Sequence, residues 1–231
     1  MDIEDFAFKF KKGSRAVFIG EHAVVGDIHL GFEEYINNNG YNVWEKTDEI
    51  TENIKALGSK KLILLGDIRK GYAEIKPKEG GALIKFFSRL SDSFDEIILT
   101  KGNHDGRIEK IVGRFDNISI KNEFISDKIG FMHGHALPSV EMASEAETLC
   151  MSHLHPSITL VDSNGAAYKK DCFLMLKIAL PKKQYPDSIL KKGMVLPKFN
   201  PYIGSSMEIS YRSVMKYAKI EARMTLDLAV F

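Results

Sequence analysis

Six of the seven histidines in this 231-residue chain lie in four short polar clusters, two of which also carry aspartate or asparagine, and Asp67 forms a fifth cluster site. The clusters are Asp27-x-His29, Asp67, Asn103-His104-Asp105, His133-Gly134-His135 and His153-x-His155. Carboxylate, imidazole and amide groups together suit manganese, iron or zinc. The two cysteines lack the spacing of a thiolate metal site. These residue types therefore favour metal-dependent chemistry.

Each cluster follows or ends a short apolar run that is typical of a buried strand. The run at residues 61–65 leads to Asp67, and the run at 96–100 leads to His104. Ligands of α/β proteins usually bind at the carboxyl ends of parallel strands. Two residues separated by one position also share a face of an extended chain. Each cluster taken singly is explained as well by a polar turn, but the five together favour one shared site.

The order of predicted elements indicates an α/β chain near the α+β boundary. Strands and helices alternate up to about residue 100, which is typical of a mostly parallel sheet wrapped by helices. From about residue 117, short strands alternate with turns, and we expect a second mixed sheet packed against the first. We predict a single domain over 1–231, with a core at 14–180 that contains the site. Residues 181–231 are predicted to be a basic loop, irregular over 180–204, and returning strands that complete the second sheet.

Charge is unevenly distributed, although the net charge is only +1. Residues 165–231 carry 12 Lys and Arg against 5 Asp and Glu, a net +7 that leaves −6 on residues 1–164. Three lysine pairs in this basic part are candidates for phosphate contacts, and a solvated lysine face is the alternative explanation. The pairs are Lys169-Lys170, Lys182-Lys183 and Lys191-Lys192.

The remaining composition predicts a cytoplasmic protein without a membrane contact. Cys150 and Cys172 lie in apolar runs, and we expect them to be reduced and buried. The amino terminus lacks the pattern of a secretory signal, and no run reaches the ~18 apolar residues of a membrane-spanning helix.

The succession of the five clusters resembles the signature of the calcineurin-like metallophosphoesterases. All five motifs are matched over residues 26–156. Residues 26–33 and 195–201 are also similar to the archaeal branch related to the SbcD nuclease and to bacterial ligase-associated nucleases. Ser152 departs from the family pattern, which usually has glycine before the last histidine pair. The resemblance implies the metallophosphoesterase type of β-sandwich, in which helices flank two mixed sheets.

The resemblance also implies a role for each clustered residue. Asp67 bridges two divalent ions, and His104 stands near the leaving group, oriented by Asp105 through the other ring nitrogen. His135 and Arg69 are candidates for substrate contacts, with an exposed loop position as the alternative for Arg69. The family's His-Gly pattern makes the first histidine of the 133–135 pair the ligand. The implied ligands are Asp27, His29 and His155 for the first ion and Asn103, His133 and His153 for the second.

The implied reaction is hydrolysis of a phosphodiester at a two-metal site by a metal-bound hydroxide, with His104 as the proton donor. We expect Mn²⁺, with iron, zinc or nickel as alternatives. The expected function is that of a DNA-repair-type nuclease, with DNA as substrate and a DNA-repair protein as partner. The alternatives are a nucleotide or small-molecule phosphodiesterase or phosphatase, and a noncatalytic binding scaffold. The sequence leaves the oligomeric state open.

Overall fold

Two mixed β-sheets form the centre of the computed structural model, which describes residues 7–71, 74–205 and 213–231. The strands of the first sheet follow one another in space as they do along the chain. They are β1 (Lys9–Phe10), β2 (Val17–Ile19), β3 (His22–Val25), β4 (Lys61–Leu64), β5 (Glu96–Thr100) and β6 (Ile118–Lys121).

The second sheet is formed by the later strands. They are β7 (Glu123–Ser126), β8 (Ile129–Met132), β9 (Thr148–Met151), β10 (Ser157–Val161), β11 (Ala167–Ile178), β12 (Lys192–Val195) and β13 (Ala218–Thr225). Their order in space is β10-β11-β12-β9-β8-β7, and β13 pairs with β11.

Parallel pairing brings the carboxyl ends of several strands to one place in each sheet. In the first sheet β3, β4, β5 and β6 are successive parallel neighbours. In the second sheet β9 lies parallel to both β8 and β12. The polar clusters follow β3, β4, β5, β8 and β9, so the topology places all of them at carboxyl ends of parallel strands.

Helices cover the outer faces of the sheets. In α3 the residues Leu83, Phe86, Phe87 and Leu90 recur at helical spacing and are buried. No helix among the described residues could span a membrane. The α-helices are α1 (Phe32–Asn38), α2 (Thr47–Lys55), α3 (Pro77–Ser91), α4 (Glu109–Val112) and α5 (Val140–Glu145), and a 3₁₀-helix follows at Val214–Tyr217.

Successive residues of a strand point to opposite faces of its sheet, so the apolar residues of the two faces pack into different layers. Val24 and Ile63 pack with Phe131 and Phe173 of the second sheet, whereas their neighbours on the same strands, such as Leu62, pack with the helices. A third apolar cluster lies on the outer face of the second sheet, with α5. The predicted fold class, two packed mixed sheets flanked by helices, is confirmed.

One predicted segment is wrong in part. Residues 180–204 are irregular as predicted except at β12, which pairs with β9 and β11 inside the second sheet. Its short apolar stretch is flanked by lysines and prolines, which hide the strand signal. A returning strand is present as β13, while residues 206–212 lie outside the described part. Cys150 and Cys172 are free and buried, as expected.

Candidate metal centre

The turns that carry the clusters are hydrogen-bonded to neighbouring turns within each sheet. The Asp27 and His29 amides donate to the carbonyls of Gly66 and Asp67, at 3.2 and 2.8 Å. The Ser152 amide donates to the His133 carbonyl at 2.9 Å. Backbone hydrogen bonds therefore hold neighbouring clusters of each sheet in position without a bound ion.

Backbone strain is concentrated at the same residues. A left-handed φ in a non-glycine residue costs about 1–3 kcal/mol, and such strain clusters at functional sites. The values are +55° at Asp27, +44° at His29, +50° at Asp67, +74° at His153 and +45° at His155.

Glycines allow these turns to approach one another. A Cβ on Gly66 would lie 2.6 Å from the Gly102 amide nitrogen and 2.8 Å from His133 Nδ1. A Cβ on Gly26 would lie 2.6 Å from Ser152 Cβ. No larger residue fits at either glycine without moving a cluster.

The first ligand group consists of Asp27, His29 and His155, whose ligand atoms all lie within 4.8 Å of one another. His155 Nε2 is 3.5 Å from Asp27 Oδ1. Asp27 Oδ1 and both ring nitrogens of His29 are buried without a hydrogen-bond partner among the described residues. Buried polar atoms of this kind normally have a partner, and a cation would provide one.

The second ligand group consists of Asp67, His133 and His153, also within 4.8 Å. Asp67 Oδ2 is 3.2 Å from His133 Nε2, and His153 Nδ1 is 3.1 Å from the same His133 nitrogen. The Leu65 carbonyl, 2.7 Å from His133 Nδ1, can only accept a hydrogen bond. Nδ1 therefore carries a proton, and Nε2 faces Asp67.

Asp67 also belongs to the surroundings of the first group. Its Oδ2 is 3.6 Å from His29 Nε2. Burial raises the pKa of Asp67, but His133, His29 and His104 outweigh burial and hold it far below its usual range. Burial likewise raises the pKa of Asp27, and His155 and His133 outweigh it. Two buried carboxylates therefore stay ionised and attract positive charge.

The histidine pKa values fit the same electrostatic pattern. Burial lowers the pKa of His29 and of His153 to about 4, which leaves both rings neutral, the form that binds metal. Burial also lowers the pKa of His133, but the Asp67 carboxylate outweighs it and raises the value to about 9. The donor set fits divalent cations of the first transition row.

His104 lies beside Asp67 and His29. Its Nε2 is 3.9 Å from Asp67 Oδ2, and the two histidine rings are 4.9 Å apart in edge-to-face contact. Its Nδ1 is 2.7 Å from the Lys70 carbonyl, so Nδ1 donates there and Nε2 faces the site. Burial lowers the pKa of His104.

The expected role of Asp105 is corrected. Its Oδ2 accepts from the Gly102 amide at 2.9 Å, and its Oδ1 accepts from the Ile68 amide at 2.8 Å. Because the Lys70 carbonyl occupies His104 Nδ1, Asp105 does not orient the ring. Its carboxylate joins the loop after β5 to the loop after β4.

The candidate substrate contact of Arg69 is also corrected. Its guanidinium is buried and pairs with Glu79 through Nε at 2.7 Å and Nη2 at 2.9 Å. Nη1 donates to the Gly106 carbonyl at 2.9 Å. The side chain thus supports the loops from within, and the alternative of an exposed loop arginine is equally wrong.

The remaining predicted residues lie around the two groups. Asn103 is exposed on the loop between Gly102 and His104. The His104 amide donates to Asp67 Oδ1 at 2.9 Å. This bond holds the loop against Asp67, the residue expected to bridge the two ions. The His135 ring is half-buried, 5.4 Å from the His133 ring.

Ser152 is accommodated at the position where the family pattern usually has glycine. It is buried, and its hydroxyl donates to the Leu65 carbonyl at 2.7 Å. The left-handed backbone falls on the histidines that follow it and not on Ser152. A glycine is therefore not required here, and the serine connects the two sheets.

A supporting segment at residues 196–205 has no predicted role in the site. The Phe199 and Asn200 amides donate to the carbonyls of Gly26 and Asp27, and Asn200 Nδ2 donates to the Ile28 carbonyl at 3.0 Å. The Gly204 carbonyl lies 3.3 Å from His155 Nδ1. The family-like motif at 195–201 was the available sequence signal.

The lysine pairs of the basic part are dispersed. Lys192 pairs in register with Thr148, at the start of β9. Since the clusters follow the opposite ends of these strands, Lys191 and Lys192 lie at the end of the second sheet away from the metal ligands. The basic final part therefore does not gather at the site as one surface.

The sequence model of the calcineurin-like phosphoesterase family matches residues 22–184 of this chain. The chain belongs to the calcineurin-like phosphoesterase family. As a calcineurin-like phosphoesterase it is a hydrolase, and its family uses divalent metal ions. The two ligand groups, and a third group formed by His29, Asp67 and His104, are suited to hold such ions.

Several chains of solved structure are similar to this one. The nuclease MPE of Pseudomonas putida has a TM-score of 0.60 and 16% identity, over 94% of this chain and 90% of that chain, which shows a shared fold. The phosphoesterase Yfce of E. coli has a TM-score of 0.40 and 17% identity, over 91% and 96%. Vps29 of Entamoeba histolytica, complexed with zinc, has a TM-score of 0.34 and 14% identity, over 91% and 95%. No curated protein matches this phosphoesterase.

Proposed function

We propose that this phosphoesterase is a two-metal phosphodiesterase that cleaves nucleic acid. The observation that carries the proposal is the position of Asp67, whose Oδ2 lies 3.2 Å from His133 Nε2 and 3.6 Å from His29 Nε2. One carboxylate thus stands between two groups of ligands, as a shared ligand in a two-metal site does.

The ligand assignment follows the two groups, and the family resemblance adds Asn103. Two divalent ions bring more positive charge than Asp27 and Asp67 cancel, which leaves a surplus for an anionic phosphate ester. Imidazole and carboxylate ligands suit Mn²⁺, and iron, zinc or nickel are the alternatives. The assigned ligands are Asp27, His29 and His155 for one ion, Asn103, His133 and His153 for the other, and Asp67 for both.

The residues around the ligands have separate tasks in the proposed reaction. Bound divalent ions supply Lewis acidity, which makes water a nucleophile near neutral pH and stabilises charge on the phosphate. His104 presents Nε2 to the site because the Lys70 carbonyl holds Nδ1. In the imidazolium form of His104, Nε2 would also carry a proton, and donation of that proton to the leaving oxygen would contribute about 10²–10⁴-fold to the rate. Asp105 holds the loop that carries His104.

Nucleic acid is the substrate to test first. A protein named as a nuclease shares the fold over nearly the whole of both chains, and residues 26–33 and 195–201 are similar to repair-type nucleases. We propose DNA as the substrate and a DNA-repair protein as partner. Two free buried cysteines support a cytoplasmic, reducing location.

Metal analysis and two variants test the roles at the site. We expect the purified protein, supplied with Mn²⁺, to hold two ions per chain. Asp67→Ala should lose metal and activity together, because it removes the shared carboxylate. His104→Ala should keep both ions and lose about 10²–10⁴-fold in kcat. Loss of an ion from His104→Ala would make His104 a ligand, and wild-type rates would exclude it as the proton donor.

A substrate panel tests the reaction class. Single- and double-stranded DNA, bis-p-nitrophenyl phosphate and p-nitrophenyl phosphate are assayed with Mn²⁺, with Asp67→Ala as the inactive control. Cleavage of DNA and of the bis ester supports the proposal. Turnover of the bis ester without DNA cleavage would favour a small-molecule phosphodiesterase, and preference for the monoester would favour a phosphatase. Absence of bound metal would contradict the whole proposal and favour a binding scaffold.

A further inference from the structure

A cleft of about 450 Å³ opens beside the His104 loop, between the first turn of α3 and the chain that follows Gly106. Its charged lining consists of Lys76, Arg107, Lys110, Arg114 and one acid, Glu74. Four cations less one carboxylate give the cleft a net +3, although residues 1–164 as a whole carry −6. This concentration of positive charge therefore lies in the acidic part of the chain.

Much of this charge has no protein partner. Arg107 pairs with Glu74. Lys110 and Arg114 are exposed, and neither side chain makes an ion pair with the residues that the structure describes. Like charges that share a cleft repel one another, so an anion bound between them is favoured.

The uncharged lining suits an extended ligand. Ile75, Ile84 and Ile111 contribute apolar surface. Gly81 also lines the cleft, and a Cβ built on it would meet nothing within 4 Å. Close packing therefore does not explain glycine inside this helix, where it lowers helix propensity, and its absent side chain leaves the cleft wider.

The cleft is joined to the metal centre by Arg69. This residue follows the Asp67 turn, and its guanidinium pairs with Glu79 in the first turn of α3. It also binds the Gly106 carbonyl, next to Arg107. The Arg69 side chain thus connects the loop that carries Asp67 to Glu79 and Gly106, which are adjacent in sequence to residues that line the two walls of the cleft.

We infer that this basic cleft binds the backbone phosphates of the nucleic-acid strand on the His104 side of the cleaved bond. The inference rests on the proposed function, because it requires a polynucleotide at the metal centre. Positively charged grooves that follow the backbone hold strands without reading their sequence. The cleft would then distinguish a polynucleotide from a small diester, which is too short to occupy both places.

The test compares two double variants with the same loss of charge. Lys110→Gln/Arg114→Gln removes two cleft cations, and Lys191→Gln/Lys192→Gln removes two at the far end of the second sheet. Binding of a short fluorescein-labelled oligothymidylate to the full chain in EDTA is measured by anisotropy over a salt series. Loss of two phosphate contacts makes the slope of log K against log salt shallower by about 1.4, since each contact on a single strand contributes about 0.7. The control should keep the wild-type slope.

Steady-state kinetics and a charge-conserving variant test the same cleft in the active enzyme. In the Mn²⁺-loaded enzyme the cleft variant should lose about tenfold or more in kcat/KM for the oligonucleotide, with bis-p-nitrophenyl phosphate turnover unchanged. The charge-conserving Lys110→Arg/Arg114→Lys should restore binding. Thermal unfolding should be unchanged in both cleft variants, because the substituted side chains in the cleft are exposed.

The outcomes separate this inference from the proposed function. Equal slopes for the two double variants, loss of bis ester turnover together with binding, or no binding by the wild type would overturn the inference. Equally tight, cleft-dependent binding of a mononucleotide would overturn the strand as occupant. Cleft-dependent binding without cleavage by the Mn²⁺-loaded enzyme would reject the proposed function and keep the inference. Cleavage of the oligonucleotide at the same rate in all variants would keep the proposed function and overturn the inference.

Discussion

At the scale of single residues, Asp105 is a carboxylate that binds backbone. It accepts from Gly102 and Ile68, and burial together with the charge of Asp67 raises its pKa to about 6. Asparagine cannot accept at both positions, because its amide nitrogen would face an N–H donor. We expect Asp105→Asn to lower the free energy of unfolding by about 1–3 kcal/mol.

Urea denaturation of the metal-free protein measures this loss, with Asp116→Asn at an exposed carboxylate as the control. Unchanged stability with loss of turnover would contradict the assignment and return Asp105 to the His104 ring.

The residue types of the centre could be predicted, but several of their partners could not. The spacing of Asp27 and His29 indicates ligands because carboxylate and imidazole are unusual together at a strand end. The partner of His104 is the carbonyl of Lys70, and a carbonyl is present at every position of a chain. Only the folded geometry identifies which one is used.

At the scale of elements, a buried ion pair fastens the supporting segment at 196–205 to β11. Lys198 is only 3% exposed and pairs with Asp171, which Arg15 also binds at 2.9 Å. Burial raises the pKa of Asp171, but Lys198 and Arg15 outweigh it and the value lies below its usual range. The folded pKa is thus below the unfolded value of about 3.9, so the pair stabilises the protein above roughly pH 4 and less at lower pH.

We expect Asp171→Asn to destabilise the protein by about 3–5 kcal/mol at neutral pH, because it leaves Lys198 buried without its partner. The difference from wild type should shrink as the pH falls through the folded pKa of Asp171. Chemical denaturation at several pH values measures it, with Asp227→Asn at an exposed ion pair as the control. A difference that does not change with pH would contradict the assignment.

Helices and central strands could be predicted where apolar spacing is strong, as in α3 with Leu83, Phe86 and Phe87. β12 could not, because only Met194 and Val195 are apolar in its four residues. Its place is decided by pairing with β9 and β11, which are distant in sequence.

At the scale of the whole molecule, the metal centre lies where the two sheets meet. Asp27, His29 and Asp67 come from the first sheet, and His133, His153 and His155 from the second. Ions held by both sheets would stabilise the folded state by mass action. The gain is about 2.7 kcal/mol when the free ion concentration is a hundred times Kd. We expect Mn²⁺ to raise the melting temperature of the metal-free protein.

Thermal unfolding at increasing Mn²⁺ measures this shift, with Mg²⁺ at the same ionic strength as the comparison. Asp67→Ala should show little shift, because it removes the ligand common to both groups. A wild-type protein whose melting temperature is insensitive to Mn²⁺ would contradict the assignment of ligands across the sheets.

The left-handed backbone at five candidate ligand residues implies a trade-off between durability and activity. Glycine would relieve the strain at any of the five positions, yet it would remove a ligand at each. The candidate centre is therefore one place where this chain lies below its own stability optimum. Substitutions that relieve the strain at these positions would raise thermal resistance at the expense of metal binding and activity.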